Sequence, residues 1–301
     1  MTDQIVVVQH LSRVFGLRVA LADVSLGIGP GLVYGLVGEN GAGKTTLIKH
    51  LLGLLRAESG SVRVFGADPV ADPVAVLGRI GYLSEERDLP DWMRLGELIR
   101  YSAAFYPKWD DVFALELLDM FELSVAQKVR TLSRGQRARA ALLVAIAHRP
   151  DLLLLDEPSS GLDPGARQDI LAAIVRTVAD EGRTVLFSSH LLHEVQRVAD
   201  RVAILHRGRL ILESSLDELL SRHHLLTIRF PSARPSPPAI EGALSWTGEA
   251  AEWACLCNGE LEELKRAAEL AGAIIVEQRA PTLEEVFLSR TRRSASERGS
   301  I

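Results

Sequence analysis

The chain has 301 residues, 47% of them hydrophobic and 24% charged, with a formal net charge of −5, the balance of a globular chain long enough for one large domain and a small one. That charge argues against a broad nucleic-acid face, so no nucleic-acid partner is expected. No apolar run approaches the ~20 residues of a membrane-spanning helix, and the two cysteines, Cys255 and Cys257, are too few for a disulfide framework or a tetrahedral metal site. Met1-Thr2-Asp3-Gln4 lacks a basic stretch leading into an apolar one, so no leader peptide is expected and the compartment reads as cytosolic.

Ile5 to Leu11 is valine-rich and weakly alternating, and Val19 to Ile28 holds a second short extended run. These short strands predict a small antiparallel layer beside a main sheet. Phe15, in the turn between them, has two readings: a ring that stacks on a purine, or an ordinary half-buried aromatic. After the tight turn Gly29-Pro30-Gly31, the apolar strand Leu32 to Val37 runs into Gly38-Glu39-Asn40-Gly41-Ala42-Gly43-Lys44-Thr45, and a helix is expected from Thr45 to Leu55. The eight residues match G-x-x-x-x-G-K-[ST] in the strand–loop–helix context that this pattern needs. Glycines let successive N–H groups curl inward toward phosphate oxygens, and the helix presents its positive N-terminus to the same anion. Lys44 adds a charge for the β- and γ-phosphates, and Thr45 a hydroxyl for Mg²⁺.

Ser61 to Phe65 reads as a strand, Gly66 to Pro73 as a loop, and Arg79 to Ser84 as a strand entering the acidic stretch that begins at Glu85. From Trp92 to about His148 leucines recur at helical spacing, interrupted at Pro107, which predicts an all-helical insert over about 86–148. Within it, Leu132-Ser133-Arg134-Gly135-Gln136 precedes a strong helix, Arg137 to His148. Ser133 suits the N-cap, giving a second anion-binding helix start. Leu152 to Leu155 followed by Asp156-Glu157 predicts a parallel strand buried on both faces, its carboxyl end at the ligand crevice. Asp156 is then placed for Mg²⁺ and Glu157 to polarise an attacking water. Gly165 to Asp180 reads as an amphipathic helix, and Thr184 to Ser189 as a strand ending at His190. A lone histidine is more often structural, but this one ends a strand on the same side as Asp156 and Glu157. A short helix, Leu191 to Ala199, a hairpin, Arg201 to Glu213, and a further helix, Leu216 to Leu220, close the main domain, assigned residues 1–221.

Residues 222–290 predict a β–β–α–β–α accessory domain: strands at His223 to Phe230 and Trp253 to Cys257, a helix from Glu260 to Ala271, a strand from Ala273 to Gln278 and a helix from Thr282 to Ser289. The two cysteines share one face of a strand and read as packing. Residues 291–301, polar and basic, read as a flexible tail, either solvated or touching an anionic membrane surface.

The order of these motifs resembles the ATP-binding cassette of ABC transporters over about residues 3–220, with Leu132 to Gln136 as the specific element. The resemblance implies an α/β fold: a P-loop NTPase core with an antiparallel β subdomain and an all-helical insert, here followed by a small α+β C-terminal domain. It implies ATP and Mg²⁺ as cofactors, with Phe15 on the adenine, Gly38 to Thr46 around the phosphates, and Thr45, Asp156 and Glu85 toward the metal. Glu157, His190 and Lys44 would be the catalytic groups. Ser133, Gly135 and Gln136 would reach the γ-phosphate held by a second cassette, and Ser160 to Asp163 would cross the seam between them. The partners implied are that second cassette, identical or different, and a separate integral-membrane permease, commonly an exporter, which places the chain at the cytoplasmic membrane face. Two positions depart from the family pattern: Arg134 where glycine is usual, and Glu85 where a metal-ligating glutamine is usual. Glu85 is expected to serve as a working substitute, and Arg134 to point away from the site. The competing readings are a soluble ATPase of the same superfamily, which would need long heptad repeats or a second cassette in the chain, and a regulatory ATP-binding module without turnover, which would not need Glu157 and His190.

Overall fold

A computed structural model describes residues 4–179 and 182–296 and divides the chain into two compact units, one ending at Glu213 and the other beginning at Ser214.

The first unit is organised on a six-stranded sheet. In spatial order its strands are β5 (Ile80–Leu83), β6 (Leu152–Asp156), β7 (Thr184–Ser189), β3 (Val33–Val37), β8 (Arg201–His206) and β9 (Arg209–Ser215). The pairings from β5 through β8 are all parallel. Strands with helices on both faces read as continuous apolar runs rather than alternating ones. Leu152 to Leu155 are accordingly 0–1% exposed, each contributing roughly 2 kcal/mol by burial. Because the pairing is parallel and in register, with Val37 opposite Ser189 and Asp156 opposite Ser188, the carboxyl ends of β3, β6 and β7 meet at one edge of the sheet. That edge is where the site forms.

A three-stranded antiparallel sheet, β2–β1–β4, forms the expected second layer from β1 (Val6–Phe15), β2 (Arg18–Ile28) and β4 (Ser59–Val64). Helix α1 (Lys44–Leu51) leaves the glycine-rich loop. It stops short of the expected Leu55, because Gly53 takes a left-handed turn at φ 70°. A short helix α2 (Pro73–Leu77) replaces part of the expected loop. Asp72 caps it by accepting from the Ala75 N–H at 3.2 Å, and Pro73 starts it without wasting a donor. The helical insert holds α3 (Leu95–Ala103), α4 (Asp111–Met120) and α5 (Arg134–Ile146), so Trp92 and Met93 precede its first helix. Helices α6 (Pro164–Ala179) and α7 (Leu192–Val198) complete the unit, and Asp180, the expected end of α6, lies outside the described residues.

The second unit begins with α8 (Leu216–Arg222), so the division falls before this helix rather than at 221. An antiparallel sheet follows, in the order β11 (Ala243–Glu249), β12 (Glu252–Asn258), β10 (His223–Arg229) and β13 (Ile274–Arg279), with α9 (Leu261–Leu270) and α10 (Leu283–Ser296). Strand β11 is absent from the sequence reading. It is an edge strand with no buried residue and a glycine at φ 121°, so the alternation that marks a strand is missing. Helix α10 continues through Ser296, into the stretch expected as a tail, while 297–301 lie outside the described residues. Thr291 is 7% exposed and its hydroxyl donates to Phe287 O at 3.0 Å, which lets a polar sequence stay helical on a buried face. Cys255 and Cys257 pack in the core of this unit, as expected, with their sulfurs 3.0 Å apart.

Candidate active site

The glycine-rich loop is shaped by two positions that admit no side chain. A Cβ on Gly38 would lie 2.4 Å from Leu205 O. One on Gly43, which caps α1 at φ 112°, would lie 2.5 Å from Ala20 O. The loop therefore folds tightly over the start of α1. Lys44, 5% exposed, turns back over its own loop and donates to Gly38 O at 2.6 Å and Glu39 O at 3.3 Å.

A cleft of about 360 Å³ opens beside this loop. Asn40, Gly41, Gly43, Lys44, Thr45 and Thr46 line it from the loop and α1, Phe15 from β1, Glu85 from the segment after β5, and Glu157 from the end of β6. Gly38, Glu39 and Ala42 belong to the loop but do not line the cleft. Phe15 is half exposed, with Arg13 Cζ 4.7 Å from its ring centroid, so a cation covers one face of the ring. Arg18, which the sequence reading passed over, lines the same cleft and donates to Gly41 O at 3.2 Å.

Glu157 is the centre of this arrangement. It is 5% exposed and holds a left-handed backbone at φ 48°, uncommon outside glycine and asparagine. Its Oε1 lies 2.9 Å from Lys44 Nζ and its Oε2 2.7 Å from His190 Nδ1. Three residues taken from the sequence by separate signals thus form one chain of contacts: Lys44, Glu157, His190. Asp156, 1% exposed, accepts from Ser188 Oγ at 2.7 Å, and the same oxygen accepts the Glu157 N–H at 2.9 Å. Ser188 was not singled out from the sequence. Its strand carries three buried hydroxyls, Thr184, Ser188 and Ser189, so nothing local marks Ser188 out; as a buried polar group it must find partners, and those partners reveal it. Tyr82, on β5, feels this charge: burial first, then Asp156 and Glu86, push its phenol up to about 12.

Ser133, Gly135 and Gln136 do not line this cleft. They open α5 as a capping box: Ser133 Oγ accepts the Gln136 N–H at 3.2 Å and Gln136 Oε1 accepts the Ser133 N–H at 3.0 Å. Arg134 turns to the segment after Glu157, where its Nη1 donates to Gly161 O at 3.2 Å. Ser159 Oγ bonds Glu194, which also pairs with Arg167 at 3.0 Å, and this holds the same segment from the side of α7. Among the described residues no cluster of three or more histidine, cysteine or acidic side chains is placed to hold a metal by itself.

A glycine-rich loop at a helix start, a buried lysine and a carboxylate at the end of a parallel strand define a P-loop nucleoside triphosphatase. The ABC transporter family model matches residues 21–160. The ABC transporter ATP-binding protein YtrB of Bacillus subtilis is 32% identical over 74% of this chain and 76% of its own length. The daunorubicin/doxorubicin resistance ATP-binding protein DrrA of Streptomyces peucetius is 39% identical over 70% of this chain and 65% of its own. The chain belongs to the ATP-binding subunits of ABC transporters, the ATP-hydrolysing components of those systems. A solved ATP-binding subunit of an ABC transporter superposes with a TM-score of 0.66 at 29% identity, covering 71% of this chain and 91% of that one. A dimeric ATP-binding cassette bound to ADP and Pi superposes at 0.63 over 70% of this chain and 98% of that one, at 23% identity, a likeness of fold.

Proposed function

We propose that this subunit powers a separate membrane permease in the export direction, by closing as a dimer over two ATP molecules with Mg²⁺. The observation that carries the reading is the Lys44–Glu157–His190 chain: a phosphate-binding cation and a base that both line the cleft, with a polar switch, His190, bonded to the base from outside the lining. Lys44 binds the phosphates, and Glu157 orients and deprotonates the attacking water, with His190 holding the far carboxylate oxygen. Mg²⁺ prefers oxygen donors and usually takes one or two carboxylates plus substrate phosphates. Thr45, Asp156 and Glu85 offer that all-oxygen set, and when bound the ion would offset charge on the phosphates. Phe15 offers its uncovered face to adenine. Ser133, Gly135 and Gln136, standing outside the cleft, fit a γ-phosphate held by a second cassette. The drug-resistance name of one relative favours export. No helix among the described residues is long and apolar enough to cross a membrane; the permease is read as a separate chain, with this one peripheral at the cytoplasmic face. Residues 222–290 are proposed as an accessory domain.

Affinity purification from detergent-solubilised membranes, with mass spectrometry of what is retained, tests the reading. A multi-span protein recovered in near-stoichiometric amount, together with ATP-dependent dimers in light scattering, is the expected result. Recovery without any membrane protein, or a monomer at saturating ATP, overturns it.

A further inference from the structure

The segment that leaves β5 is fastened to the turn that carries Glu157. Arg87 takes a left-handed backbone at φ 51°, with its N–H donating to Ser84 O and Oγ at 3.2 and 3.1 Å. This turn sends its side chain inward, where it is 6% exposed. One guanidinium nitrogen, Nη2, then faces three backbone carbonyls: Ser160 O at 2.8 Å, Pro158 O at 2.9 Å and Glu157 O at 3.5 Å. Among the described residues no carboxylate lies within ion-pair distance of Arg87, and its Nε has no hydrogen-bond partner. A buried cation without an anionic partner is costly unless dipoles compensate it, and here the only ones it meets belong to this one turn. Arg134 grips the turn again at Gly161 O, from the start of α5.

The turn so held begins at Glu157, whose own backbone is left-handed, so its peptide needs outside support to keep the carboxylate aimed at Lys44 and His190. Arg87 is absent from the lining of the cleft beside Lys44, and the hydrogen bonds of its guanidinium go to the backbone of the turn. We propose that Arg87 is a positioning residue for hydrolysis: it fixes the Glu157 backbone, and so ties the segment starting at Glu85 to the aim of the base. The proposal rests on the reading of Glu157 as that base.

Steady-state ATPase assays of the full chain with ATP and Mg²⁺ test it, using Arg87→Met, Arg87→Lys and Glu157→Gln singly, and each Arg87 variant combined with Glu157→Gln. Arg87→Met is expected to lower kcat by about 10–100-fold, the scale of a misplaced catalytic group, with KM within about twofold. Arg87→Lys should recover most of that loss, because a single nitrogen makes all three contacts. On the Glu157→Gln background the Arg87 effect should vanish, since a residue acting through Glu157 has nothing left to aim. A purely structural arginine would keep its full effect there. A wild-type kcat in Arg87→Met, a loss carried by KM alone, or an undiminished effect on the Glu157→Gln background overturns the proposal. Near-wild-type turnover in Glu157→Gln alone overturns the reading of the base instead. If the methionine variant does not fold, Arg87→Gln, which retains a donor, takes its place under the same criteria.

Discussion

Lys44 Nζ stands 2.9 Å from Glu157 Oε1, and both side chains are about 6% exposed. The cation proposed for the phosphates and the carboxylate proposed for water are thus partners across the cleft. In so dry a site each is costly to leave alone, so the pair holds both groups in place. On the proposed reading, a γ-phosphate entering the cleft would compete for the lysine, and Glu157 would then have His190, at 2.7 Å, to keep its direction.

Glu157→Gln keeps the shape of this centre and removes its charge. Hydrolysis is expected to slow by about 10²–10⁴-fold, the usual scale for loss of a general base, while ATP still binds. The variant should accumulate an ATP-dependent dimer visible by light scattering. A variant that stays monomeric with ATP beside a wild type that dimerises would count against the role, as would full turnover.

Ser188 joins the two acidic residues through one oxygen, donating to Asp156 at 2.7 Å and accepting from the Glu157 N–H at 2.9 Å. Ser188→Ala leaves a buried N–H and a buried carboxylate each short of a partner. The expected result is a kcat lowered about tenfold, from a misaimed carboxylate, with a stability loss of about 1–3 kcal/mol. Wild-type kcat with only the stability loss would reduce Ser188 to a packing role.

The motifs were legible because each is a local rule. Gly43 must be glycine at φ 112°, Leu152 to Leu155 must be apolar on both faces, and each can be read within a few residues. Arg87 and Ser188 were not legible, because their meaning lies in partners about 70 and 32 positions away. Arg134, expected to point away from the site, is absent from the cleft lining and grips Gly161, a partner that nothing in Leu132 to Gln136 names. Strand β11 and the far end of α10 escaped for a different reason. An edge strand with no buried residue has no periodicity to read, and a polar helix end shows its buried threonine only once packed.

Glu85 lines the cleft beside Lys44 where the family usually has an amide. Glu85→Ala is expected to lower ATPase and transport together, while Glu85→Gln, which restores the amide, should keep ATPase near wild type. Measuring both with the permease present separates a ligand role from a bystander: if Glu85→Ala left hydrolysis and transport both at wild-type rates, the substitution would carry no function.

His148 provides a test of the fold that is independent of nucleotide. It is 2% exposed, stacked on Tyr106 with ring centroids 3.8 Å apart, and its Nε2 donates to Ile80 O at 3.1 Å. Burial, with Arg183 adding to it, pulls its pKa from 6.5 down to about 4, against the opposing hydrogen bond to Ile80. The unfolded chain therefore takes up this proton near pH 6.5 and the folded chain only near 4. Between those values the unfolded state binds more protons, so stability is lost as pH falls and is fully present above 6.5. The shift corresponds to at most roughly 3 kcal/mol. Urea unfolding of the wild type and of His148→Phe, which keeps a ring on Tyr106, should give free-energy curves that converge as pH drops from 7.5 to 4, the wild type losing more. Curves that stay parallel would mean that His148 titrates alike in both states and that its burial costs nothing in this window.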